Sequence, residues 1–317
     1  MNKNIDKYMW IMFGWAVWDA LGSATEFLRP GMFAHLTDMI WSIKFKTKPW
    51  EWTDDTSMTL CLAQSLIECK WFDIEDQLDK YSLRLYDWYM SSNGKAFDIW
   101  IQTINQLFKY KTYKESDNKA KPWEVDLSWF KKDWNGAIMR IAPIALYYKD
   151  NIEDAIFYAW ESVKTTHNTD ICIDTAKYFI WMVIWLLSWD SKEKVLSPNY
   201  SPINNYRKDH KINPELEKIT NWSYKNITED KLWIQFGYIL DSLQVALWGL
   251  YKFDSFEEGM INIVNLWYDA DTNWCIYWFL AGAYYGYDNI PDRRKNKIAK
   301  PDLIKEITIN LINKSSI

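Results

Sequence analysis

The chain has 317 residues, 49% hydrophobic and 25% charged, a balance that excludes a disordered chain and allows one large core or two modest ones. Its net charge is −5, with no basic run and no interleaving of basic and aromatic residues, so nucleic acid is not an expected partner. Residues 1–6 lack the apolar segment of a secretory signal, and Phe179 to Trp189 falls short of the ~20 apolar residues of a spanning helix, so a cytoplasmic protein away from the membrane is expected.

Helical periodicity runs through the chain. The first helical pattern carries Gly14, Trp18 and Gly22 four residues apart. Thr53-Asp54-Asp55-Thr56 then opens a helix whose one face bears Met58, Leu62, Ser65, Leu66 and Cys69. A lysine-rich polar stretch covers about 109–132. Asn135-Gly136 precedes Ile141, Ile144, Ala145 and Tyr148 at helical spacing. Helices are expected over about 152–166, 171–188, 233–251, 255–266, 272–286 and 301–313, with a second polar stretch at about 191–231. Neither alternating strands nor a βαβ rhythm is present, so the class is all-α. A single compact multi-helix domain over 1–317 is expected, with the polar stretches as surface excursions. Cys61, Cys69, Cys172 and Cys275 show no CxxC spacing and read as reduced core residues.

Two acidic strings stand out, Thr53-Asp54-Asp55-Thr56 and Asp269-Ala270-Asp271-Thr272. Each packs two carboxylates beside hydroxyls at the start of a helical pattern. Oxygen donors of this kind suit hard divalent cations such as Mg²⁺ or Mn²⁺, and carboxylates pressed together without one would repel. One string alone would read as an acidic helix cap. Two matched strings are compatible with both a cap and a metal. His35 and His210 have no partner pattern, so a histidine zinc site is not expected.

Tryptophan usage is the second anomaly. Average composition predicts roughly 22 glycines in a chain this long. This chain has 10, together with 22 tryptophans. Trp274, Trp278, Gly282 and Gly286 lie at four-residue steps, as Gly14, Trp18 and Gly22 do. Mixing hydrogen and indole along one helical stripe is physically awkward, because a stripe either packs closely or fills space. Many of these tryptophans therefore read as glycines: some bacterial lineages decode UGA as glycine, and a translation using a tryptophan code would print this pattern. A truly aromatic core is the alternative. Trp52 and Trp88, which belong to no such stripe, read as true tryptophans.

With that allowance, about 5–291 resembles the ADP-ribosylglycohydrolase family, which includes ADP-ribosyl-acceptor hydrolases and dinitrogenase reductase-activating glycohydrolases. Gly14 to Gly22, with Glu26-Phe27, resembles the opening GxxxGDALG…EF helix. Trp50 to Thr56 resembles GEWTDDT, Phe97 to Trp100 FDIG, Trp134 to Arg140 GNGAxMR, Thr166-His167 the TH pair, and Leu266 to Trp274 LGGDADTxG. Tryptophan replaces a family glycine at 15, 18, 50, 100, 134, 267, 274 and 278. Ile101 is a milder departure and blurs which linkage is cleaved.

The resemblance implies a metal-dependent hydrolase that cleaves the glycosidic bond between ADP-ribose and an acceptor, either a protein side chain or a small ADP-ribosyl compound. It implies two Mg²⁺ ions, with Mn²⁺ possible, held by Thr53, Asp54, Asp55, Asp269, Asp271 and Thr272. Glu26 and Asp98 are the implied catalytic carboxylates. Asn135, Gly136, Ala137 and His167 are the implied substrate-binding residues, the first three offering backbone N–H groups to a pyrophosphate. Asp19 reads as a brace for the fold. A monomer is expected. An inactive ADP-ribose-binding module, its cleft altered by tryptophan, is the alternative function.

Overall fold

The structure is a computed structural model that describes residues 3–28, 32–42, 44–117, 120–130, 132–188, 191–197, 212–221, 223–228, 232, 237–266, 270–285 and 292–314. The fold is all-α: among the described residues the sole extended pairing is an isolated bridge between Trp134 and Tyr238. Helix starts follow local chemistry. Asp73 accepts from the Glu75 and Asp76 amides to start Ile74–Asp87, Asn151 accepts from Asp154 N to start Ile152–His167, and Thr169 accepts from Cys172 N to start Asp170–Leu187.

The expected helices appear as Asp54–Cys69, Ile152–His167, Asp170–Leu187, Ile239–Lys252, Phe256–Val264, Ala270–Tyr285 and Pro301–Lys314, and the one expected from about 233 starts only at Ile239, residues 237 and 238 being non-helical. Three expectations change. Residues 109–115 are not loop, because helix Ile101–Glu115 continues through them with Leu107 and Tyr110 buried. Helix Ile74–Asp87 was hidden by its charge, since Lys80 and Arg84 lie buried beside Leu78 and Tyr81, their charged ends held by Glu68 and by the Phe97 carbonyl. The described part of 191–231 carries helices Lys192–Val195 and Pro214–Thr220; residues 198–211, 222 and 229–231 lie outside the described residues, as do 233–236, 267–269 and 286.

Helix Ala270–Tyr285 is the centre of the packing. It contacts Trp15–Gly22, Asp170–Leu187 and Ile239–Lys252, and its residues Cys275 to Ala281 are all 0% exposed. The two mixed stripes face each other here. A Cβ built on Gly14 would overlap the Trp278 indole, and one on Gly282 would overlap the Trp10 indole. Each glycine on one helix thus leaves room for a ring on the other. The rings crowd: Trp10 and Trp278 centroids are 4.7 Å apart, and Trp15 stacks on Phe279 at 3.8 Å. The indole N–H groups of Trp10 and Trp15 are buried without a hydrogen-bond partner. The first helix also breaks its own repeat here, since Trp10–Gly14 forms a π-turn between Lys3–Met9 and Trp15–Gly22.

Trp52 and Trp88 separate. The Trp52 indole is fully buried and donates to Ala299 O at 3.1 Å, as a genuine tryptophan should. Trp88 instead ends helix Ile74–Asp87 at φ 60°, with 55% exposure. That left-handed capping position favours glycine and disfavours every side chain with a Cβ. The stripe criterion misses this position because its constraint is a backbone angle rather than a packing face.

Candidate functional site

The first acidic string is held by a carboxylate from another helix. Asp19, 0% exposed, accepts from Thr53 N at 2.8 Å, from Thr56 N at 2.9 Å and from Thr56 Oγ1 at 2.6 Å. It supplies the cap that helix Asp54–Cys69 lacks, since the Thr53 side chain makes no capping bond. Burial raises the Asp19 pKa against the pull of these hydrogen bonds. With capping done by Asp19, the hydroxyl of Thr53 is left buried with no hydrogen bond of good geometry, its polar neighbour being the Asp19 carboxylate. Asp54 and Asp55 are each 1% exposed. The helix-cap explanation of the string therefore fails for its hydroxyl: the cap exists and comes from elsewhere.

The second string reaches the same place. Thr272, 2% exposed at the start of helix Ala270–Tyr285, directs Oγ1 to Asp55 Oδ2 at 3.5 Å, across 217 residues of sequence. Asp269 lies outside the described residues, and of Asp271 the backbone alone is described. Among the described residues, no three His, Cys, Asp or Glu side chains cluster closely enough to hold a metal.

Two further carboxylates belong to the expected set, and of these Asp98 feels the charge of Asp54. Glu26 is 1% exposed on the turn after the first helix, next to Phe27 at φ 64°. Asp98 sits at φ 51° and turns a buried Oδ2 inward without a hydrogen-bond partner. Such left-handed non-glycine residues persist where surrounding structure holds them. For Asp98 the holder is Arg84, which donates to the Phe97 carbonyl at 2.9 Å. Desolvation first, then the negative charge of Asp54, pushes the Asp98 pKa well above the usual carboxylate range, while Lys44 pulls it back. Lys44 Nζ itself lies over the Phe27 ring, 2.7 Å from its centroid.

The Asn135 loop forms the other end. It is a 3₁₀ turn over Asn135–Ala137, all buried, followed by helix Ala142–Tyr147. Asn135 N donates to Gly237 O and its Nδ2 to Ser242 Oγ, which pins the turn to the chain leading into helix Ile239–Lys252. His167, 1% exposed, faces Gly136: a Cβ there would come within 3.2 Å of its Cε1. The two ends are joined by the segment around Asp98. Gln102 Nε2 donates to Thr166 O at 2.8 Å, and ring centroids run Phe27–Trp100 at 6.3 Å and Trp100–Trp134 at 6.5 Å. Next to Trp134 and Tyr238 opens a pocket of about 550 Å³ rimmed by Asp133, Asp170 and Glu215.

The sequence model of the ADP-ribosylglycohydrolase family matches residues 1–316. The chain belongs to that family. Among curated relatives, it is 29% identical to the ADP-ribosylarginine hydrolase Tri1 of Serratia proteamaculans, over 98% of this chain and 80% of that one. It is 27% identical to the ADP-ribosyl-[dinitrogen reductase] glycohydrolase of Rhodospirillum rubrum, over 92% and 90%. A solved structure described as an ADP-ribosylglycohydrolase-related protein complex superposes with a TM-score of 0.82 at 30% identity, over 99% of this chain and all of that one. Family membership makes the chain a glycosidic-bond hydrolase. Among the described residues no helix is long and apolar enough to cross a membrane.

The family motifs carried residues whose part was not legible from their sequence. Arg140, Thr166, Gln102, Arg84 and Lys44 all touch or face the site. Arg140 and Thr166 stood inside quoted motifs, and their position there was the available signal. Arg84 and Gln102 lie on helices that sequence periodicity did not separate from their surroundings.

Proposed function

We propose that the protein hydrolyses the bond between the anomeric carbon of ADP-ribose and an acceptor nitrogen or oxygen, with divalent cations bound between the two acidic strings. The observation that carries this reading is the meeting of Asp55 and Thr272 at two helix starts, beside a buried Thr53 hydroxyl that makes no well-formed hydrogen bond. The donor set is entirely oxygen and rich in carboxylate, which fits Mg²⁺ or Mn²⁺ and disfavours softer ions. Thr53, Asp54, Asp55 and Thr272 would hold the cations together with Asp269 and Asp271. When bound, the cations supply charge that grips the ribose hydroxyls and makes a nearby water more acidic.

The protein's own groups do the rest. In this reading Glu26 accepts the proton of the attacking water, and the bond to the acceptor breaks with its electron pair leaving on the acceptor atom. Asp98, whose pKa is raised by burial and by Asp54, is the carboxyl of this site best suited to hold a proton for the ribose or the leaving group. The carboxylates stabilise positive charge as it develops on the ribose. The Asn135 loop and His167 receive the pyrophosphate. The pocket beside Trp134 and Tyr238 takes the adenosine, whose amino and hydroxyl groups are donors to Asp133 and Glu215.

ADP-ribosylarginine is the first acceptor linkage to test, because a relative over nearly the whole chain is named for it. Protein carrying glycine at the family-glycine positions is incubated with arginine- and serine-linked ADP-ribosyl substrates, with Mg²⁺ and after chelation, and free ADP-ribose is measured. Release that requires Mg²⁺ supports the reading. Tight ADP-ribose binding with no release from any substrate would instead identify a binding module.

A further inference from the structure

We propose that Arg140 and Thr166 are positioning residues that fix His167 as the Nε2–H tautomer, so that its imidazole is a neutral, permanently oriented donor to the pyrophosphate. This rests on the assignment of the Asn135 loop as the pyrophosphate subsite. Arg140 is 0% exposed, and among the described residues it forms no ion pair. Its Nη1 donates to Gly136 O, and its Nη2 to Thr166 Oγ1 at 2.6 Å and Thr165 Oγ1 at 3.3 Å. The guanidinium also lies 5.2 Å over the Tyr81 ring. A buried cation without a counter-charge is costly to maintain in a purely structural role. An anionic ligand on the adjoining loop would supply that counter-charge.

The proton positions follow from what each group can do. A guanidinium only donates, so Thr166 Oγ1 must accept from Arg140. The hydroxyl has one hydrogen of its own, and its other neighbour is His167 Nδ1 at 2.7 Å. Its oxygen could also accept from an Nδ1–H, but its own hydrogen would then have no acceptor among the described contacts; Thr166 therefore donates to Nδ1, which carries a lone pair, and the ring proton resides on Nε2. Thr165 does not compete, since its hydroxyl donates to Ser162 O. Gln102 fixes the Thr166 backbone from the other side. The Nε2 edge lies 3.4 Å from where a Gly136 side chain would begin, which places the free N–H over the loop. Burial and the positive charges of Arg140 and Lys132 keep the ring neutral, in accord with this arrangement.

The test combines a direct reading of the tautomer with a binding series. Long-range ¹H–¹⁵N correlation on the full chain resolves its 3 histidines, with His167→Gln used for assignment. The wild type is expected to show Nε2–H at neutral pH. Thr166→Val removes the donor to Nδ1 and is expected to weaken ADP-ribose binding about tenfold, the effect of one charge-facing hydrogen bond, with adenosine binding unchanged. Thr166→Ser is expected to restore both tautomer and affinity. A wild-type His167 protonated on Nδ1 would overturn the proposal without any variant, as would Thr166→Val binding ADP-ribose as tightly as wild type. Absence of ADP-ribose binding by the wild type would overturn the donor role together with the pyrophosphate assignment, while the spectrum still decides the tautomer separately.

Discussion

Replacement of Trp88 tests the glycine reading at a single exposed position. Trp88 ends helix Ile74–Asp87 at φ 60°, ψ 25°, with its amide bonded to Leu83 O. Two variants, Trp88→Gly and Trp88→Ala, both delete the indole and so lose the same contacts. They differ only in whether a Cβ occupies the left-handed region. In an ordinary helix alanine is better than glycine by roughly 0.5–1 kcal/mol. At a left-handed residue the order inverts, because the Cβ meets the following carbonyl at a cost of roughly 1–2 kcal/mol. Trp88→Gly should therefore be more stable than Trp88→Ala by about 1 kcal/mol. Urea unfolding of the two variants at equal m-value measures this as a difference in midpoint. An alanine variant as stable as the glycine variant would falsify the claim that this site is built for glycine.

Other expectations can be checked together. Protein isolated from its native source should be lighter than the printed sequence by several substitutions of an indolylmethyl group by hydrogen; an intact mass matching the print would end the recoding idea. Asp55→Asn should reduce turnover by about 100-fold or more, if the lost ligand matters as single electrostatic groups do in other sites, and should weaken the thermal stabilisation by Mg²⁺; undiminished stabilisation would remove Asp55 from the cation site. Asp98→Asn should melt higher than wild type at pH 7 while losing activity, since a carboxyl whose folded pKa is raised loses stability as pH climbs from its ordinary value through the folded one. A lower melting point would contradict the placement of Asp98. His167, with a folded pKa well below 6.5, should contribute stability that is complete above pH 6.5 and lost as pH falls from there toward the folded value. That part of the pH–stability curve should flatten in His167→Gln, and an unchanged slope would show that the ring is not buried neutral.

The long apolar helices were legible because one face of each repeats at helical spacing, as Met58, Leu62 and Leu66 do. Helix Ile74–Asp87 was not, since its buried face includes Gln77, Lys80 and Arg84, whose burial depends on partners elsewhere in the fold, such as Ser162, Glu68 and the Phe97 carbonyl. The acidic strings could be picked out from composition alone. What could not be picked out was the division of labour between Asp19 and Thr53, which requires knowing that the first helix brings a carboxylate to the start of the Asp54 helix. Arg140 was equally opaque. Its chemistry depends on Thr165, Thr166 and Gly136 meeting around one guanidinium, and no spacing in the sequence announces that.

The contact between Asp55 and Thr272 also dictates when the cleft can exist during synthesis. Its halves are 217 residues apart, so at ordinary elongation rates roughly 10–40 s pass on the ribosome between them. Throughout that interval the acidic turn, buried in the finished protein, waits without the helix that completes the site. Chains terminated before Thr272 would lack half of the site and would be inert.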